Sequence, residues 1–338
     1  MAEYRIIVHD LSKAYRVPHR APGLVASLKG TVRRTYCTVQ AVRNVSFTVR
    51  AGEMVGLIGP NGAGKTTTLK ILSGLLYPTT GEASVLGFVP WKRQADYLRR
   101  ISMVLGNKSQ MLWDIPPLDT FRVLGEIYHI PPTDLNRILD KLIALLDMEN
   151  LLTRPVRDLS LGERMKCELV AGLLHRPEVL FLDEPTLGLD VSMQGRLRHF
   201  LAEYNRLNGV TVILTSHYMA DVVALCPRVI LIQDGRLLYD GELSNLAKQL
   251  APFKLIRIAL PQPDWQFDLP AGAELIEREN GHLTLRVARS EAPSITAHLL
   301  NALPVADLAV EDPPIEAVID KRVEQAASIR EEAHEQAK

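Results

Sequence analysis

The sequence is poor in cysteine and aromatics, carries no net charge and has no long apolar run. Each scarcity removes a class of function. Its 338 residues hold three cysteines, Cys37, Cys167 and Cys226, far apart and matching no metal-ligand spacing. A disulfide scaffold and a zinc module are thereby excluded, and free thiols in a reducing cytosol are expected. Lys+Arg and Asp+Glu are equal at 39 each, so bulk charge makes no case for a nucleic-acid partner. No apolar stretch approaches the roughly 20 residues that span a bilayer. The opening MAEYRIIVHD mixes acids and bases in a strand-like pattern and does not read as a signal peptide. A membrane role must therefore come through a partner. No internal repeat is visible.

What is present is ordinary globular material, 47% hydrophobic, in enough length for one large domain and a smaller one. Residues 4–10 and 41–58 alternate like strands, the second run turning at Ala51-Gly52. Residues 94–175 read as mostly helical, broken at the pairs Pro116-Pro117 and Pro131-Pro132. EVLFLDEP (178–185) and VTVILTSH (210–217) are continuous apolar runs, the pattern of strands buried on both faces of a parallel sheet. A helix is expected between them, at about 191–207. Strands alternating with helices give an α/β architecture. After about residue 250 the texture changes to three strand-like stretches with an Asn280-Gly281 turn, a helix at SITAHLLNAL and a strand at VADLAVE. The expected division is a main domain over 1–248, a small α+β domain over 249–322, and a charged tail over 323–338.

The stretch GLIGPNGAGKTTTLK (56–70) carries the first chemistry. Gly59, Pro60, Asn61, Gly62, Ala63, Gly64, Lys65 and Thr66 fit GxxxxGK[ST] in full. Residues without a Cβ let the backbone curl so that several N–H groups face an anion, and the helix opening at Lys65 adds its positive end. Lys65 can reach the β- and γ-phosphates, the Thr66 hydroxyl can ligand Mg²⁺, and Thr67 is placed to touch the α-phosphate. The second site ends the run VLFLDEP. Asp183 can hold Mg²⁺ through water, and Glu184 can polarise the attacking water as a general base.

Between the two sites lies DLSLGERMK (158–166), which resembles the LSGGQ signature of ATP-binding-cassette (ABC) ATPases. Ser160, Gly162 and Glu163 occupy the matching places, with Leu161 for a glycine and Glu163 for the glutamine. LGLD (187–190) stands at the family's D-loop position, and His217 in TSH at that of its switch histidine. The resemblance covers residues 4–245. It implies a P-loop NTPase fold of the ABC-ATPase type with a helical subdomain at about 95–175. It also implies ATP and Mg²⁺ as cofactors and a head-to-tail dimer, with an identical or a related cassette. In that dimer Ser160 and Gly162 cap the γ-phosphate bound by the other copy. His217 would contact the γ-phosphate, Asp190 would communicate across the interface, and Tyr15 would stack on adenine. The Q-loop residue that senses Mg²⁺ is either Asn107 or Gln110.

The same resemblance points to export. Leu112, Trp113, Ile115 and Phe121 fall where transporter cassettes form a groove for a coupling helix of the membrane subunit. Residues 305–319 resemble the tail of cassettes from ABC-2-type exporters. A basic insert at about 16–39 has no acid between Arg16 and Arg50, with a helix possible at 23–36. It either lies against anionic headgroups or is a solvated loop. The resulting expectation is the ATP-hydrolysing subunit of a bacterial exporter, docked on permeases at the cytoplasmic face of the plasma membrane, without nucleic acid. The rival is a soluble ABC ATPase acting on nucleic acid or ribosomes.

Overall fold

The structure, a computed structural model, describes residues 4–18, 36–106, 108–261, 269–279 and 281–313. The expected insert helix, Asn107, Asn280 and the charged tail lie outside these residues. The chain forms two compact units, 1–242 and 243–338. The division falls after Glu242, where the chain leaves a sheet, so the helix Leu243–Leu250 groups with the second unit rather than the first.

The first unit contains β1 (Tyr4–Pro18), β2 (Tyr36–Arg50), β3 (Met54–Ile58), β4 (Thr80–Val85), β5 (Ile101–Leu105), β6 (Val179–Asp183), β7 (Thr211–Thr215), β8 (Arg228–Gln233) and β9 (Arg236–Glu242). β2, β1 and β4 make an antiparallel sheet, and the other six follow the order β5-β6-β7-β3-β8-β9. Neighbours from β5 to β8 are parallel; β9 returns antiparallel to β8. Every residue of β3, β6 and β7 is buried, which is why each reads as an unbroken apolar run.

Three sequence expectations need correction. The stretch 94–175 is not all helical, because Ile101–Leu105 is a strand at the sheet's edge. Five residues, four of them apolar, have no length to reveal their period, and parallel pairing with β6 decides it. The proline pairs do not merely interrupt helices. They start them, with Pro116 and Pro131 at the N-caps and Pro117 and Pro132 at the first helical positions of Pro117–Ile127 and Pro132–Leu146. A first-turn proline loses no hydrogen bond and has its φ preset for the helix. The basic insert is also narrower than 16–39, since Arg16–Pro18 pair with Tyr36–Thr38 as the end of the β1–β2 ladder.

The second unit holds β10 (Phe253–Ala259), β11 (Ala273–Glu279), β12 (His282–Ala288) and β13 (Asp307–Glu311) in an antiparallel sheet of order β11-β12-β10-β13. The helix Ala292–Ala302 lays Ile295 and Leu299 against Ile256, Ile258, Leu283, Leu285 and Val287. Glu279 pairs with His282 across the tight turn, and Gly281 has φ +81° there.

Candidate functional site

The glycine loop sits at the carboxyl end of β3. Its backbone threads so closely that two positions tolerate no Cβ. At Gly59 (φ +145°) a Cβ would lie 1.9 Å from the Ile232 carbonyl oxygen, and at Gly64 (φ +106°) 2.3 Å from that of Ala41. Gly64 caps the helix Lys65–Leu72 in a left-handed conformation. Gly62 also has a positive φ, with open space where a Cβ would be, and both Asn61 and Gly62 are exposed. Lys65 is 5% exposed, and its ammonium donates to the carbonyls of Gly59 (2.7 Å) and Pro60 (3.0 Å). Burial pulls the ammonium pKa below its ordinary value, and the nearby charges of Glu184 and Asp183 pull it back up.

Three strand ends converge on this loop. Asp183 ends β6, opposite Thr215 at the end of β7. The Thr66 hydroxyl donates to Asp183 Oδ1 at 2.9 Å, and the Thr215 hydroxyl donates to the same oxygen at 2.8 Å. Glu184 follows in a left-handed conformation, φ +55°, uncommon for a residue with a side chain. Its N–H is held by the Thr215 carbonyl (3.0 Å) and hydroxyl (3.1 Å). The turn aims the carboxylate at His217, whose Nε2 lies 2.8 Å from Glu184 Oε1. Gly106, at the end of β5, gives its N–H to the Asp183 carbonyl at 2.8 Å, and a Cβ there would lie 2.2 Å from the Glu184 carbonyl oxygen. Lys65, Thr66, Asp183, Glu184 and His217 are thus brought together. Thr67, on the same helix turn, is half-buried.

The signature residues form a second cluster, sharing no hydrogen bond with the loop among the described residues. Ser160 caps the helix Leu161–Leu173 in a closed capping box: the Ser160 N–H donates to Glu163 Oε2 at 2.7 Å, and the Glu163 N–H to Ser160 Oγ at 3.3 Å. Glu163 therefore spends its carboxylate on the cap, which leaves the exposed Ser160 as the outward donor. The bond from the Ser160 N–H holds the Glu163 carboxyl below its ordinary pKa of 4.5, with desolvation opposing. A depressed carboxylate contributes stability above its unfolded pKa and loses it as pH falls through the folded one. We therefore expect Glu163→Gln, which cannot ionise, to unfold more easily than the parent at pH 7. The gap should close as pH falls below about 4.5 and the parent carboxyl takes up its proton, as thermal unfolding across pH 7 to 3.5 would show.

Asp190 caps the helix Val191–Asn208 by accepting from the Met193 N–H at 2.9 Å. The two clusters of signature and D-loop touch, since a Cβ on Gly162 would meet Met193 at 3.2 Å and one on Gly188 would meet Leu161 at 2.8 Å. Tyr15 is half-buried, with the Lys13 ammonium 5.3 Å from its ring centre. Gln110 is exposed, and its Nε2 lies 3.8 Å from where a Gly172 Cβ would be, along the signature helix. Of the expected groove residues, Leu112 and Trp113 are half exposed, with Arg164 stacked over Trp113 at 5.2 Å. Phe121 is fully buried and belongs to the core, because its place on the helix Pro117–Ile127 faces inward.

Sequence reasoning missed four residues. Thr215 and Gly106 back the acid pair as described. Glu168, 4% exposed, accepts from the Ser109 hydroxyl and from the Gln110 N–H at 3.1 Å, which ties the signature helix to the loop after β5. Asp221, 1% exposed, collects three donors, from Thr186, Arg198 and Ser216. Only Thr215 had a local signal, a polar residue closing an apolar run. The other three are ordinary residues whose partners are distant in sequence.

The chain is similar to known proteins in both of its units. Residues 42–187 match the ABC transporter family, and residues 252–311 match the C-terminal domain of EvrA-like ABC transporters. The ABC transporter ATP-binding protein NatA of Bacillus subtilis is 34% identical over 208 residues, 62% of this chain and 84% of that protein. The Nod factor export ATP-binding protein I of Burkholderia lata is 35% identical over 226 residues, 66% of this chain and 72% of that protein. A solved ATP-binding subunit of an ABC transporter superposes with a TM-score of 0.60 at 26% identity, covering 72% of this chain and 92% of that one. Among the described residues no helix is long and apolar enough to cross a membrane.

Proposed function

The chain belongs to the ATP-binding subunits of ABC transporters, and on that premise we propose that it hydrolyses ATP to drive export through separate membrane permeases. The observation that carries this reading is the convergence of Lys65, Thr66, Asp183, Glu184 and His217 at three adjacent strand ends, where open α/β sheets bind their ligands. The N–H groups of the loop Gly59–Thr66, of which Pro60 alone has none, cradle the phosphates of ATP. Lys65 exchanges its two loop carbonyls for phosphate oxygens.

Two hard side-chain oxygens, Thr66 Oγ1 and Asp183 Oδ1, already lie 2.9 Å apart. That donor set suits Mg²⁺, which prefers one or two protein oxygens plus phosphate and water to an all-protein cage. When bound, Mg²⁺ neutralises phosphate charge. Thr215 keeps Asp183 oriented, and Glu184 accepts the proton of the attacking water. His217 holds that carboxylate in place and faces the γ-phosphate. Tyr15 lies under the adenine.

The exposed Ser160 and the Gly162 N–H complete the site of a second cassette, identical or related, packed head to tail. ATP binding closes the pair and hydrolysis opens it. The permeases are of the ABC-2 type, which places the protein at the cytoplasmic face of the plasma membrane. The exposed Leu112 and Trp113 are the apolar surface offered to them. The exporter named among the relatives and the match of the second unit to an ABC transporter C-terminal domain support this over action on nucleic acid.

The test is co-purification. A tagged chain expressed with its neighbouring genes should bring down integral membrane proteins stoichiometrically in mild detergent, and Trp113→Glu should weaken that capture while leaving nucleotide binding intact. A chain that instead carries ribosomes or DNA would reverse the reading.

A further inference from the structure

The proposed chemistry makes no use of Asp221. It lies on the short helix Met219–Leu225, just beyond His217, and is 1% exposed. An ionised carboxylate this deep is costly unless fully paired, and its partners come from three segments. Ser216, the residue before His217, donates its hydroxyl to Asp221 Oδ2 at 2.8 Å. Thr186, two residues after Glu184, donates its hydroxyl to the same oxygen. Arg198, on the helix that Asp190 caps, donates to Oδ1 at 2.8 Å.

Each partner is itself tied to a functional residue. The Ser216 hydroxyl accepts from the Tyr218 N–H at 3.0 Å and so closes the turn around His217. The Glu184 carbonyl accepts from the Leu187 N–H (3.2 Å), and the Thr186 carbonyl accepts from the Leu189 N–H (3.1 Å). The segment from Glu184 to Asp190 is therefore stitched to itself and pinned by Thr186. Ser216 and Thr186 are 6% and 2% exposed, so neither hydroxyl has water as an easy substitute.

From this geometry we infer that Asp221 is a positioning residue. It locks the Glu184 turn and the His217 turn to one buried carboxylate and so sets the 2.8 Å separation of the pair. Arg198 supplies the neutralising charge and extends the lock to the D-loop helix. A displacement of about 1 Å at a reacting group can cost about 10²-fold in rate, so losing the lock should appear in turnover rather than in nucleotide affinity. The inference rests on the catalytic roles proposed for Glu184 and His217.

The decisive variants remove one hydroxyl each, because Asp221→Ala leaves Arg198 partly buried without its partner and can fail to fold. Ser216→Ala and Thr186→Val, tested in the full chain, should each lower kcat by about 10- to 100-fold with KM for ATP changed by less than about threefold. ATP binding by titration should stay near the parent, and the unfolding temperature should fall by only about a few degrees, because Asp221 keeps its other donors. In a His217→Ala background, Ser216→Ala should add no further loss, since the group it positions is gone. Parental turnover in both single variants would overturn the inference. So would a kcat loss that persists undiminished without His217. If Glu184→Gln itself hydrolyses ATP at the parental rate, the underlying catalytic reading fails instead. Loss in Glu184→Gln beside parental rates in the hydroxyl variants removes Asp221 alone.

Discussion

Glu184→Gln is expected to slow ATP hydrolysis by about 10²- to 10⁴-fold, the range that a positioned general base contributes, while ATP stays bound. The glutamine is isosteric, so the left-handed turn and the two bonds from the Glu184 N–H to Thr215 survive. Its amide can still pair with His217 across the 2.8 Å gap. What it cannot do is take a proton. The phosphate cradle, Lys65 and Asp183 are untouched, so binding and closure of the cassette pair proceed and the cycle stops before opening. Phosphate release measures the rate, and a dimer that appears on a sizing column only with ATP measures the arrest. Parental phosphate release would remove Glu184 from the role of base.

Lys65→Ala should act one step earlier, on binding itself. The ammonium is 5% exposed and holds two loop carbonyls, so its removal strips the cradle of its one internal cation and leaves the Gly59 and Pro60 carbonyls without that donor. Truncating one partner of a buried charge pair costs about 2–5 kcal/mol. Affinity for ATP should therefore fall by at least about 30-fold, tenfold for each 1.4 kcal/mol. Titration with a fluorescent ATP analogue reads the change directly, and an unaltered dissociation constant would contradict the cradle assignment. The two variants separate cleanly: Glu184→Gln should hold nucleotide without turning it over, and Lys65→Ala should scarcely hold it.

The residues behind these two variants were legible in the sequence because local chemistry dictates them. Gly59 and Gly64 are required by positive φ and by backbone approach under 2.5 Å, and no other residue type meets both demands. Val179–Asp183 and Thr211–Thr215 announce buried parallel strands because both faces are covered. The short strand Ile101–Leu105 had no such signal, since four apolar residues around Ser102 suit a helix face as well as an edge strand. Phe121 could not be sorted from Trp113 by composition. Both are large apolar residues near prolines, and only packing buries one and exposes the other. The prolines at 116–117 and 131–132 marked real boundaries, but whether a boundary opens or closes a helix depends on the residues that follow.

By itself the sequence determined the phosphate loop, the acid pair, the signature, the order of these motifs and hence the chemistry, because each depends on residues a few positions apart. Tertiary structure alone decided how they act on one another. The Glu184–His217 pair spans 33 positions, Thr66–Asp183 spans 117, and Asp221 reaches back 35 to Thr186. Such pairings depend on which strand ends the β5-β6-β7-β3-β8 order sets side by side. That order is chosen by the burial of whole strands, a property of the packed sheet that no short stretch of the chain carries.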